Sequence, residues 1–173
     1  MNQKQFFNNV SNDKFDVIDI ILDALEKNNI DYCIIGGLAV NAYVEPVVSL
    51  DLDIIITADK INDLVETVRN IFSIEKHSHS INLNSEQSDL RIQIQTDQRY
   101  QDFITRSSIK NILGYKMKVA ALKDILKGKI WAYSDPERRM SKRQKDLADI
   151  MRIVENYPEL KNQLPQSITN NFL

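Results

Sequence analysis

The sequence predicts one α/β unit, a small mixed sheet flanked by helices, with further helices toward its C-terminal end. Three observations carry that expectation. Residues 32 to 56, YCIIGGLAVNAYVEPVVSLDLDIII, read as strand, glycine turn, short helix and second strand. Residues 73 to 95 alternate apolar and polar positions, the two-residue period of half-buried strands. From Ala120 onward the apolar positions fall at helical spacing instead.

The central stretch justifies itself residue by residue. Tyr32 to Ile35 is short, apolar and β-branched, as a buried strand should be. Gly36 and Gly37 break it, Leu38 to Ala42 suit a short helix, and Glu45-Pro46 end that helix. Leu50 to Ile56 is the second strand. Strand side chains alternate faces, so Asp51 and Asp53 point the same way. Two carboxylates on one face repel, and a divalent cation with oxygen ligands, Mg2+ or Mn2+, is the simplest group to hold them together. The amides of the glycine turn at a helix start suit a phosphate.

Around this stretch, Asp13 is expected to cap a helix running to about Asn28. A helix from Ala58 to about Phe72 presents Ile61, Leu64, Val65, Val68 and Ile71 on one stripe. Ser73 to Lys76, Ser80 to Leu83 and Leu90 to Gln95 are strands. His77 and His79 sit at the first turn, where solvated side chains are the ordinary reading and a metal pair the alternative. Tyr100 to Arg106 is a short helix. Ser108 to Leu113 and Tyr115 to Val119 pair around Gly114. Helices follow from Ala120 to near Asp135 and from Pro136 to Tyr157, with Gly128 an anomaly inside the first. Residues 1–118 are expected to form the core, and 119–173 a helical part packed on it.

Composition narrows the classes. The chain has 173 residues and a formal charge of −2, so bulk charge predicts neither nucleic-acid nor membrane binding. The single cysteine, Cys33, excludes an internal disulfide and reads as a core residue. No signal-like leader and no apolar run of about 18 residues stand in the sequence, so a cytoplasmic protein is expected.

The pair of motifs, Gly36, Gly37 and Ala39 followed by Ser49, Asp51 and Asp53, resembles the nucleotidyltransferase superfamily, GG-x-A with [ST]-x-D-x-D. A second stretch, residues 129 to 150, KIWAYSDPERRMSKRQKDLADI, looks like the C-terminal signature of AbiEii-type nucleotidyltransferase-like proteins. There Lys129 matches the first lysine, and Arg143, Lys145, Asp146 and Asp149 the later cluster. The resemblance implies a polymerase beta-like fold and metal-dependent transfer of a nucleotidyl group from an NTP to a hydroxyl acceptor. Asp51 and Asp53 would hold the metal. Gly36, Gly37 and Ser49 would shape the phosphate pocket. Lys129 and Lys145 would neutralise phosphate charge, with Asp146 orienting a lysine or bonding the sugar.

The family usually places a third carboxylate on the strand beside the D-x-D strand. Here Gln93 aligns best with that position and Gln95 second, while Asp89 is the acid on the same face. Glutamine cannot accept a proton as a carboxylate does. Two readings therefore stand: an enzyme acting on an RNA, a protein or a small molecule, with a toxin-type role and an antitoxin-like partner among the options, or a degenerate module that binds nucleotide or a protein partner without turnover. The basic run Arg138, Arg139, Lys142, Arg143 and Lys145 is either a nucleic-acid face or a charged helix exterior.

Overall fold

A computed structural model describes residues 1–170; the last three residues of the expected helical part lie outside them. The strands are β1 (Tyr32–Ile35), β2 (Asp51–Ile56), β3 (Ser73–Lys76), β4 (Ser80–Ser85), β5 (Ser88–Gln95), β6 (Ser108–Ile112) and β7 (Tyr115–Val119). They form one mixed sheet in the order β3-β4-β5-β2-β1-β7-β6. β1 lies antiparallel to β2 and parallel to β7, and β2 runs parallel to β5. The helices are α1 (Gln3–Val10), α2 (Val17–Lys27), α3 (Gly36–Val40), α4 (Ile61–Val68), α5 (Leu122–Ser134), α6 (Met140–Asn156) and α7 (Gln166–Thr169). Among the described residues no helix is long and apolar enough to cross a membrane.

The two middle strands are apolar because both of their faces are covered. Cys33, Ile34, Leu52, Ile54, Ile55 and Ile56 are fully buried. The outer strands alternate. Ile81, Leu83, Leu90, Ile92 and Ile94 are buried on one face, while Asn82, Gln93 and Gln95 lie half-buried on the other. That second face carries Asp51 and Asp53, so the alternation that builds the core also collects polar groups around the acid pair. Cys33 has its thiol pushed up to about 12 by burial, which keeps it an unreactive core residue.

Several elements differ from the sequence expectation. The first seventeen residues hold a helix that their polar composition hid, α1, with Phe7 buried. Asp13 does not cap α2 at the expected place. Its carboxylate accepts from Phe15 N and Val17 N, and the N-cap is Asp16 in the left-handed region. The helix expected over 58–72 divides into a 3-10 turn, Ala58–Lys60, and the shorter α4. Residues Gln98–Arg106 coil as a 3-10 helix, and the last long helix starts at Met140, four residues after the expected Pro136.

α1 is held by a polar cluster. Tyr115 Oη donates to Asp16 Oδ1 at 2.8 Å and lies 2.8 Å from Asn8 Oδ1, and Lys4 Nζ lies 2.9 Å from Asp16 Oδ2. Burial alone would raise the Asp16 carboxyl, but the Lys4 and Tyr115 hydrogen bonds outweigh it and hold it below the usual range. A depressed carboxyl stabilises the fold above its unfolded-state value and loses that contribution as pH falls through the folded one. Asp16→Asn, which keeps the cap and tolerates the backbone, is therefore expected to cost about 1 kcal/mol at pH 7. Thermal melts at pH 7 and pH 3 check this: the deficit should shrink at the lower pH.

Candidate functional site

β2 delivers Asp51 and Asp53 to the head of a cleft between the sheet and helices α5 and α6. Asp51 is ion-paired from two sides. Arg91 on β5 donates through Nε and Nη2 to Oδ1, at 2.9 and 2.5 Å, and Lys142 on α6 reaches Oδ2 at 3.0 Å. Burial raises its carboxyl, but Lys142 and then Arg91 outweigh that and hold it below the usual range.

Asp53 is different. Among the described residues its carboxylate makes no hydrogen bond and no ion pair. Burial pushes it up to about 6; Lys129 opposes the rise and Asp51 adds to it. Its place depends on Gly36, which has a φ of +73° and no side chain. A Cβ there would stand 2.0 Å from Asp53 Oδ2. The first glycine of the turn thus makes the room in which Asp53 turns toward the cleft.

The second sequence motif builds the opposite wall. Lys129 on α5 is buried between Asp146 Oδ1 at 2.9 Å and Asp149 Oδ2 at 2.6 Å, both on α6. Burial would lower the Lys129 ammonium, but the two carboxylates raise it overall, so it stays charged. Arg138 Nε closes on Asp146 Oδ2 at 2.6 Å. Arg152 Nη1 closes on Asp149 Oδ1 at 2.8 Å, and its Nη2 donates to Asn41 Oδ1 and to the Glu45 carbonyl. Asn41 in turn brackets Val47 through both its N–H and its carbonyl. One network therefore joins α5, α6 and the loop that leads into β2.

Two cavities meet at this network. The larger, about 220 Å³, is lined by Gly36, Gln93, Gln95 and Tyr100 among others, and the smaller, about 60 Å³, by Gly37, Ser49, Lys145, Asp149 and Arg152. Asp51, Asp53, Lys129, Arg138, Lys142 and Asp146 line both.

The structure brings most of the expected residues together and leaves some outside. Gln93 pairs with Asp53 in the parallel ladder, so it stands beside the acid pair. Asp89 does not. It lies beyond the start of β2, is exposed, and bonds the Asn12 amide at 2.5 Å. Lys145 is an exposed residue at the rim of the smaller cavity, and the lysine that reaches Asp51 is Lys142. Arg143 points away, to the Tyr133 carbonyl at 2.7 Å. The basic run is largely spent inside the molecule, since Arg138, Lys142 and Arg143 are all engaged. His77 faces Asn82 and Glu75, whereas His79 lines the larger cavity, so the two imidazoles serve different surroundings. Sequence reading missed Arg91, Lys142 and Arg152 as partners. The i, i+4 step from Lys142 to Asp146 on the motif helix was the available signal for Lys142.

The donor set suits a hard divalent cation. Mg2+ is commonly held by one or two carboxylates plus substrate phosphates, and Asp53 offers an unpaired carboxylate beside Asp51. Among the described residues no group of three acid, His or Cys side chains is assembled. The remaining ligands would come from phosphate oxygens and water.

No family model matches the sequence, and no curated protein matches it. Solved structures do match in three dimensions. The lincosamide antibiotic adenylyltransferase LnuA, in its lincomycin-bound structure, aligns at 16% identity with a TM-score of 0.55, covering 79% of this chain and 95% of its own. ANT(2")-Ia in complex with adenylyl-2"-tobramycin aligns at 16% identity with a TM-score of 0.62, covering 91% and 97%. An antigenic nucleotidyltransferase-like protein from Paracoccidioides brasiliensis aligns at 23% identity with a TM-score of 0.54, covering 80% and 74%. At such identities the likeness establishes the fold: a nucleotidyltransferase fold.

Two substitutions should move stability in opposite directions. A raised carboxyl destabilises the fold in its charged form, and the penalty disappears as pH falls below about 4. Asp53→Asn is expected to stabilise the metal-free protein at pH 8 by up to about 3 kcal/mol, with the gain vanishing near pH 4. Lys129→Met leaves Asp146 to Arg138 alone and Asp149 to Arg152 alone, with the buried charge between the two acids removed, and is expected to cost about 3 kcal/mol. Urea unfolding at both pH values checks each sign.

Proposed function

We propose that this protein is a metal-dependent nucleotidyltransferase that moves a nucleotidyl group from an NTP to a hydroxyl acceptor. The observation that carries the reading is the pair of cavities sharing one acid pair. A donor and an acceptor placed on either side would meet at Asp51 and Asp53. The fold likeness to two antibiotic adenylyltransferases supports the reaction class.

The residues divide the work. The smaller cavity takes phosphate oxygens of the NTP: Gly37 and Ser49 shape it, and Lys145 and Arg152 add positive charge at its wall. Lys129, Arg138 and Lys142 stand at the junction, where charge accumulates on the phosphates during transfer. Asp51 and Asp53 hold the cation, which neutralises phosphate oxygens and aligns donor with acceptor when bound. Asp146 fixes the Lys129 ammonium by its 2.9 Å contact. The acceptor oxygen forms its bond to the α-phosphorus as the bond to pyrophosphate breaks, and the hydroxyl proton leaves to water. Gln93 cannot take that proton, so most of the acceleration comes from positioning and charge. The AbiEii-type resemblance adds an RNA or protein acceptor, and an antitoxin-like partner, as biological settings for the same chemistry.

Gln93 also favours a second reading. A chain with an amide where its superfamily usually places an acid would keep the nucleotide pocket and act by binding a partner, without turnover. Incubation with γ-labelled NTPs and Mg2+ separates the two. The enzyme reading predicts pyrophosphate release, reduced at least 100-fold in Asp53→Asn even though that variant is the more stable protein. Equal release by both proteins would exclude the assigned acid pair. NTP binding without release by the wild type, across acceptor mixtures, would establish the binding module.

A further inference from the structure

The larger cavity has an outer wall that the nucleotide reading does not use. Tyr100 is its most unusual member. It is only 7% exposed, yet among the described residues its hydroxyl has no hydrogen-bond partner. The ring is buried, while the phenol oxygen opens to the cavity and is free to bond a molecule held there. Its ring is fixed edge-on to Phe103 and Trp131, with centroids 5.3 and 5.2 Å away. The room for that ring is made by Gly128 in the middle of α5, where a Cβ would stand 3.1 Å from Tyr100 Cε1. A helix-interior glycine costs about 1 kcal/mol. The costly glycine thus serves to present one neutral hydrogen-bonding group to the cavity.

The neighbouring groups have the same character. The Gln93 amide makes no hydrogen bond among the described residues. Gln95 gives only its Oε1, to Asp97 N at 3.1 Å, and keeps its N–H2 for the cavity. Apart from Asp53, assigned above to the cation, the acids facing the cavity are largely matched. Arg99 closes on Asp97 Oδ2 at 2.9 and 2.7 Å, Asp51 is held by Arg91 and Lys142, and Asp146 by Lys129 and Arg138. Asp135, at the exposed mouth, caps Glu137 N through Oδ1. A polycation would find few free carboxylates here, whereas a molecule with several hydroxyls would find free donors and acceptors beside an aromatic wall. The volume, about 220 Å³, is below the ~300–1,000 Å³ of drug-sized sites and suits a single ring.

We infer that the larger cavity is the acceptor subsite and takes an uncharged polyhydroxylated ring, held through its hydroxyls by Tyr100 and Gln93. The assignment rests on the division into donor and acceptor cavities made above. It makes Tyr100 a specificity-determining residue: the phenol selects a hydroxyl-bearing acceptor and leaves nucleotide binding alone.

Saturation-transfer NMR tests this on the full chain, with methyl α-D-glucopyranoside and myo-inositol as neutral probes and tobramycin as the polycationic one. Each is run with and without a non-hydrolysable NTP and Mg2+. The expected result is transfer to a neutral probe in the wild type, weakened at least fivefold in Tyr100→Phe, with the melting temperature and the separately measured NTP affinity unchanged. Gln93→Ala is a second variant with the same expected loss, read if Tyr100→Phe folds poorly. No transfer to either neutral probe, equal transfer in the variants, or displacement of the neutral probes by tobramycin would each overturn the inference. Loss of NTP binding alone would count against the nucleotidyltransferase reading, and is read independently of the sugar signal.

Discussion

The site depends on one electrostatic constraint: Asp53 shares a strand face with Asp51 and, among the described residues, has no hydrogen-bond or ion-pair partner of its own. A carboxylate with its charge partly withdrawn from water beside a second carboxylate is held at a cost, and Gly36 supplies the space in which that cost is incurred. Much of the surrounding architecture follows from it. Lys142 and Arg91 absorb the charge of Asp51, Lys129 and Arg138 place positive charge across the cleft, and Asp146 and Asp149 keep Lys129 fixed and protonated. The result is a cavity wall rich in matched ion pairs with one unmatched acid at its head. Under the proposed function a dication would find Asp53 free, while Asp51 would have to share its oxygens with Arg91 and Lys142.

The helical part is therefore more than packing. α6 lays Lys142, Asp146 and Asp149 along one face, so its helical period distributes one cation to the sheet and two acids to α5. Arg152, one turn further, carries the same network to the loop before β2 through Asn41 and the Glu45 carbonyl. A shift of α6 would reach Asp51, Lys129 and the wall of the smaller cavity together. Stability and site geometry are coupled through side chains, and the apolar packing of Ile150, Ile153 and Val154 fixes the helix that carries them.

Local pattern made much of this legible. The strand at 32–35, the alternation that puts Asp51 and Asp53 on one face, and the hairpin around Gly114 each follow from neighbours within a few residues, and so could be read directly. The position of Gln93 beside Asp53 followed from alternation in a second strand, and the ladder places it there. Through-space choices were not legible. Asp89 shares the face of Gln93, but β2 begins at Asp51 and leaves Asp89 outside the cleft, a register fact that no single strand contains. Lys145 and Lys142 are three residues apart on one helix, and the rotation of α6 decides which of them meets Asp51. α1 was hidden because its stability comes from Lys4, Asn8, Asp16 and Tyr115, which are distant in sequence. Gly128 read as a flaw in a helix until Tyr100 was seen lying against it.

The most direct test of the account is calorimetric titration of a non-hydrolysable NTP into the wild type and into Asp51→Ala/Asp53→Ala, with and without Mg2+. The account predicts binding that requires Mg2+ in the wild type and is lost in the double variant, which should remain folded because relief of the buried Asp53 charge offsets the lost Asp51 ion pairs. Nucleotide binding that is indifferent to Mg2+ and to both acids would contradict it, since the unmatched carboxylate would then have no role at the phosphates.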